Sequence, residues 1–159
     1  MTKKLLAIGL AAVLAMALLA GCSSTSKAGN LGKYEILRKA TLGGAWQMYQ
    51  IRVTLDAGKD FDIDLLDLAN NDRVDGYFFT EKGTGASLTV SAGSQVIFQS
   101  QVPPAEAPAS DRFSFTATQP HGTAYVLKLH NGGAEKAVSV FLELIYPGTG
   151  NIRGPIDTK

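Results

Sequence analysis

Alternation with a period of two constrains this chain more than any other feature. Tyr49, Ile51, Val53 and Leu55 share one face of the stretch Gln47–Leu55, and Met48, Gln50, Arg52 and Thr54 share the other. Phe61, Ile63 and Leu65 alternate with Asp60, Asp62 and Asp64. Phe113, Phe115 and Ala117 alternate with Ser114 and Thr116, and Tyr125, Leu127 and Leu129 with Val126, Lys128 and His130. Val138, Val140, Leu142 and Leu144 oppose Ser139, Phe141, Glu143 and Ile145. A helix returns to the same face every three or four residues, whereas a strand does so every two. Tyr77-Phe78-Phe79 is apolar throughout and predicts a strand covered on both sides, while Leu88/Val90 and Val96/Phe98 predict two short strands. Breakers separate the runs: Ala57-Gly58-Lys59, Lys82-Gly83-Thr84-Gly85, Ala92-Gly93-Ser94, Pro120-His121-Gly122 and Asn131-Gly132-Gly133. The pattern predicts an all-β domain, an antiparallel β-sandwich or jelly roll of about eight or nine strands.

One connection stands apart. Ser100–Asp111 (SQVPPAEAPASD) is proline-rich, without apolar periodicity, and too long for a hairpin turn. It reads first as a crossover between two sheets and second as a binding loop.

The amino-terminal segment has a different logic. Lys3 and Lys4 precede an unbroken apolar run from Leu5 to Ala20. That run is shorter than the roughly 20 residues a spanning helix needs, and its layout is that of a secretory signal. It ends Leu19-Ala20-Gly21-Cys22. This stretch resembles the lipobox of bacterial lipoproteins. The resemblance implies peptidase recognition through Leu19, Ala20 and Gly21, cleavage before Cys22, diacylglycerol on the Cys22 thiol, and acylation (palmitate) of the new amino terminus. Cys22 is the only cysteine in 159 residues, so no intrachain disulfide can form. An exported chain with one unpaired thiol would be unusual, and a thiol consumed by lipid removes the difficulty. The expected location is a lipid anchor on the cell membrane or outer membrane, facing away from the cytoplasm. Ser23, where some lipoproteins carry Asp, resembles outer-membrane sorting.

The expected organisation is a signal peptide at 1–21, a flexible tether at 22–32, the sandwich at 33–147 and a flexible tail at 148–159. The ten residues Ser23–Gly32 (SSTSKAGNLG) are small and polar. They span about 17–19 Å as a coil and about 33 Å when stretched. Without Lys3 and Lys4 the 15 basic residues fall to 13, against 14 acids. A chain so balanced, without a Lys/Arg run, is not built to neutralise nucleic-acid phosphates.

Three stretches of the mature region resemble the GOLD (Golgi dynamics) domain. They are Val53–Asp64, with its strand, glycine turn and alternating strand; Val74-Asp75-Gly76-Tyr77-Phe78-Phe79-Thr80; and Arg112–Ala117 followed by Gly122–Leu127 and the closing strand Lys136–Tyr146. Together they cover most of Tyr34–Pro147. The resemblance implies a jelly roll that binds proteins or lipids and catalyses nothing. The family's cargo receptors carry a cysteine pair that this chain lacks, so their sorting role is not implied.

Candidate sites are sparse. Seven of the 14 acids fall between Asp56 and Asp75. Asp60-x-Asp62-x-Asp64 begins like a calcium loop, but Leu65 occupies the glycine position and Asn71 the position of the bidentate glutamate. A strand with Phe61, Ile63 and Leu65 inward produces the same spacing, its acids facing water. A calcium site, if present, would use Asp67, Asn70, Asn71, Asp72 and Asp75. His121 and His130 read as surface residues. No P-loop, dinucleotide fingerprint or Gly-x-Ser-x-Gly elbow occurs, so neither a cofactor nor catalysis is expected. Trp46, Tyr49, Tyr77 and Phe141 could form a sugar-stacking platform or fill the core, and Phe141 and Ile145 could mark a partner surface. The expectation is a non-catalytic binding module with a protein partner. A calcium- or carbohydrate-binding module and an envelope hydrolase are the alternatives.

Overall fold

The computed structural model describes residues 33–100, 109–133 and 136–153. The expected signal peptide, the lipobox residues Leu19, Ala20 and Gly21, Cys22 and the tether lie outside the described residues. Among the described residues there are ten strands: β1 (Lys33–Leu42), β2 (Trp46–Leu55), β3 (Asp60–Leu66), β4 (Arg73–Lys82), β5 (Ala86–Ala92), β6 (Gln95–Gln99), β7 (Ser110–Thr116), β8 (Tyr125–Asn131), β9 (Val138–Pro147) and β10 (Asn151–Arg153). They form two five-stranded sheets, in the orders β1-β2-β9-β4-β7 and β10-β3-β8-β5-β6. Every pairing is antiparallel.

The topology is a nested hairpin. β2 pairs with β9, β3 with β8, β4 with β7 and β5 with β6. The chain alternates between sheets as it winds, which makes β2–β9 a jelly roll. β1 and β10 extend the two sheets at their β2 and β3 edges. β6 and β7 lie in different sheets; residues 101–108 of the proline-rich connection, read as a crossover or a binding loop, lie outside the described residues.

The alternation becomes burial. Tyr49, Ile51, Val53 and Leu55 are fully buried on β2, as are Ile63 and Leu65 on β3 and Val138, Val140, Leu142 and Leu144 on β9. Their side chains meet those of Leu88, Val90, Leu127 and Leu129 from the facing sheet in one core. All the buried hydrophobics described lie between Tyr49 and Ile152. The described core thus lies wholly between Tyr49 and Ile152, in one unit built from both sheets.

Two expectations change. The strand count rises to ten, and Asn151–Arg153, assigned from sequence to the tail, pair with Leu66, Leu65 and Asp64 of β3. Ile152 between them is buried. In β4, Phe78 is buried but Tyr77 and Phe79 are only half-buried. That strand is covered on one side, because its other face is the outer face of the sandwich.

The turns use glycine where geometry demands it. Gly83 follows β4 with φ of 89°, and a β-carbon there would stand 2.9 Å from the carbonyl oxygen of Ala137. Only glycine combines a left-handed conformation with that approach.

Candidate functional site

The acidic loop between β3 and β4 spends its oxygens on its own architecture. Asp67 and Asn71 adopt left-handed conformations, with φ of 60° and 72°, which Asp and Asn tolerate better than most residues. The Asp72 carboxylate accepts from the Ala69 amide at 2.7 Å and from the Thr149 hydroxyl at 3.3 Å. The Asn71 amide donates to the Ala117 carbonyl, and the Ala117 amide to that of Asp72. Asp75 has left the loop for β4, where it accepts from Arg73 at 2.8 and 3.0 Å. Among the described residues, no group of three or more His, Cys, Asp and Glu comes together as a metal site would require.

Asp60, Asp62 and Asp64 line the outer face of β3, with Phe61, Ile63 and Leu65 buried behind them. Asp60 meets His130 at 2.6 Å and Lys128 at 3.6 Å. Lys128 also reaches Asp62 at 4.0 Å, and Arg153 reaches Asp64 at 3.7 Å. Partial burial holds the Asp62 carboxyl above the usual aspartate range; Lys128 opposes the shift and Asp60 and Asp64 add to it. The row is a partly neutralised strand face. His121 sits exposed in its turn.

The aromatic candidates divide. Tyr49 is fully buried and belongs to the core. Trp46 stands at the start of β2, opposite Leu42 and Pro147. Tyr77 and Phe141 lie together on the outer face of the first sheet, joined by Phe79. The Phe79 ring is 5.0 Å from Phe141 and 5.6 Å from Tyr77, centroid to centroid. The Arg112 guanidinium sits 5.5 Å over the Tyr77 ring, a cation–π distance.

Strand register builds this face in rows. One row runs Glu35, Arg52, Phe141, Phe79 and Ser110 across β1, β2, β9, β4 and β7. The next runs Arg38, Gln50, Glu143, Tyr77 and Arg112. Arg52 is fixed by Glu81 through two hydrogen bonds and by Glu35 at 3.0 Å. The Glu81 pairing, with Glu35 behind it, raises the Arg52 pKa further, and the Arg52 hydrogen bond holds the Glu81 carboxyl below the usual glutamate range. Gln50 donates to Glu143 at 2.5 Å. The result is a half-buried aromatic ridge with a guanidinium at each end, on a sheet of five paired strands. Its available chemistry is stacking, charge pairing and hydrogen bonding.

Phe79, Arg52 and Arg112 were not among the sequence candidates. The spacing of Tyr77 and Phe79 puts both on one face, which was the only local signal for the pair. The arginines join through β2 and β7, whose register no local pattern reveals. No protein-family model matches this chain, and none of the curated proteins compared with it matches either.

Proposed function

We propose that the protein is a membrane-anchored bacterial lipoprotein that presents a GOLD-like jelly roll as a non-catalytic binding module. The lipid on Cys22 holds the domain at the envelope, and the outer face of the first sheet contacts a protein partner. The observation that carries this reading is the ridge Tyr77–Phe79–Phe141 with Arg112 over Tyr77. Aromatic and arginine side chains are enriched at the energetic centres of protein interfaces, and charged residues surround them at the rim. Glu35, Arg52, Glu81 and Glu143 supply such a rim here.

Crosslinking in intact cells followed by recovery of the protein tests the reading. The expected result is one dominant protein partner, lost when Tyr77→Ser and Phe141→Ser are combined. The core is untouched by that pair of changes, so the domain stays folded. Recovery of no partner, together with turnover of an envelope polymer by the purified domain, overturns it in favour of a hydrolase.

A further inference from the structure

β1 is the strand least committed to the core. None of its ten residues is buried. Eight of the other nine strands place at least one residue in the core, and β6 packs Ile97 and Phe98 against it. Tyr34 and Ile36 stand opposite the fully buried Val53 and Ile51, yet they are 39% and 41% exposed. Leu37, in the bulge, is exposed as well. The cause lies in the second sheet. β10 pairs only with Asp64, Leu65 and Leu66 of β3, so among the described residues no strand runs beside residues 60–63 to cover the first half of β1.

What holds β1 is mostly its own hairpin. It lies at a sheet edge and pairs with β2 alone. Nine register pairs join the two strands, in blocks at 33–36 and 38–42 separated by the bulge. Arg52 donates to Glu35 at 3.0 Å, Thr41 donates to Gln47 at 3.3 Å, and the Lys39 ammonium sits 5.2 Å over the Tyr49 ring. Tyr34 reaches the other sheet, its ring 5.8 Å from that of Phe61. β2 is secured independently. It pairs with β9 at all ten of its residues, and Tyr49, Ile51, Val53 and Leu55 sit in the core. When Glu35 leaves, Arg52 keeps both hydrogen bonds to Glu81. The backbone groups of β2 freed at the edge then face water, which satisfies them.

The hairpin also sets how β1 comes off. Its turn is Gly43-Gly44-Ala45, and the preceding chain joins at the open end, where Lys33 pairs with Thr54. A pull at Lys33 loads the register pairs one at a time, not all together. We infer that β1 is a releasable strand, a reserve of tether that unzips from β2 while β2–β10 keep their fold. Its use as tether rests on the reading that Cys22 carries lipid. The bulge divides the release into two steps, of four pairs and then five. Local opening of an element with few buried contacts costs less than global unfolding. Ten strand residues at about 3.3 Å each add about 33 Å to the reach of residues 23–32, itself about 33 Å. The domain's reach from the membrane thus roughly doubles. The ridge on β9 and β4 is separated from β1 by β2 and survives the release.

Hydrogen exchange on the purified full chain reads the release directly. Amides of β1 that bond to β2, and those of β2 that bond to β1, should exchange together, at least about 100-fold faster than those joining β2 to β9. Successive amides along β2 should therefore alternate between fast and slow. The variant K33C/T54C, closed as a disulfide across the open end, should slow the fast set by about tenfold or more, and reduction should restore it. Native trypsin digestion gives a second readout: Arg38 and Lys39 should be cut before any site from Arg52 to Lys128, and the closed variant should resist. Uniform exchange along β2, a closed variant that exchanges like the parent, or cutting between Arg52 and Lys128 before β1 overturns the inference. Lipid labelling of Cys22 in cells is read separately. A labelled Cys22 with a fixed β1 keeps the anchor and overturns the reserve; an unlabelled Cys22 with a releasing β1 keeps the opening strand and overturns its use as tether.

Discussion

Gly76 lies directly beneath the ring of Phe113, its cross-strand partner, and a β-carbon at position 76 would stand 2.0 Å from the ring Cζ. The ring cannot swing aside freely, because its other neighbour is Phe98 of the facing sheet at 5.4 Å. Gly76 is therefore a packing requirement in the middle of β4. Gly76→Ala should cost about 1–3 kcal/mol, the usual range for overpacking a core. Urea unfolding measures this. Adding Phe113→Leu should recover part of the loss, and an unchanged midpoint in Gly76→Ala would show that the ring is not pinned.

Asn131 is one of two buried polar residues among those described, and it is fully engaged. Its amide group donates to the carbonyls of Leu55 at 3.1 Å and Lys136 at 2.9 Å, and its oxygen accepts from the Gly133 amide at 2.9 Å. One side chain thus ties the end of β2, the end of β8 and the β8–β9 connection together. Asn131→Ala would orphan two carbonyls and an amide, and should cost about 3 kcal/mol. Asn131→Asp keeps the shape but cannot donate, and it sets an anion against two carbonyl oxygens. It should be at least as damaging at neutral pH. Equal stability of parent and Asn131→Asp in denaturant titration would refute this role.

The legible parts of the fold are those where burial is one-sided and the phase is unbroken. β2, β3, β8 and β9 meet both conditions, and their inward residues were read correctly from alternation. β1 meets neither. It lies at a sheet edge, and a bulge between Ile36 and Arg38 shifts its phase, so Tyr34 and Ile36 sit opposite Val53 and Ile51 yet stay exposed, and Lys39 stands opposite Tyr49 where a third apolar residue would continue the pattern. β10 buries only Ile152, and one residue makes no pattern. The outer-face ridge fails for another reason. Phe79 and Phe141 are 62 positions apart and meet only because β4 and β9 pair in a particular register, which depends on the whole winding of the jelly roll.

Glu81 and Asp62 should bend the pH dependence of stability in opposite directions. Glu81 is held below its ordinary value of 4.5 by the Arg52 hydrogen bond, so its contribution is present above that value and is lost as pH falls through the lowered one. Asp62 is held above its ordinary value of 3.8 by burial, so its contribution is present below that value and is lost as pH rises through the raised one. Both sites are partly solvated, with Arg52 40% exposed and Asp62 49% exposed, so screening keeps each effect small. Glu81→Gln should lose about 0.5–1 kcal/mol at neutral pH and little in acid. Asp62→Asn should be neutral or stabilising by a few tenths of a kcal/mol at neutral pH. Urea midpoints at about pH 7 and about pH 3 decide it; effects of the same sign for the two variants at neutral pH would contradict the assignment.

Cys22→Ala should separate the address from the domain. Position 22 precedes the described core, so the variant should keep the folded sandwich, with the melting temperature of the parent domain. On the proposed lipidation, it should carry no lipid label and should stay uncut by the lipoprotein peptidase, because the thiol proposed to accept diacylglycerol is gone. No other residue can replace it, since the chain has one cysteine. The magnitude of the anchoring loss follows from chain burial. Each methylene in the bilayer contributes about 0.8 kcal/mol, a single myristoyl chain holds a protein only reversibly, and stable anchoring takes two such signals. If the proposal holds, the parent carries two or three chains on one residue and should stay with membranes through a high-salt wash. A Cys22→Ala chain kept in membranes only by its uncut apolar segment Leu5–Ala20 should be freed when that segment is deleted, whereas the lipidated parent needs detergent. Normal lipid labelling of the variant would refute the assignment of Cys22.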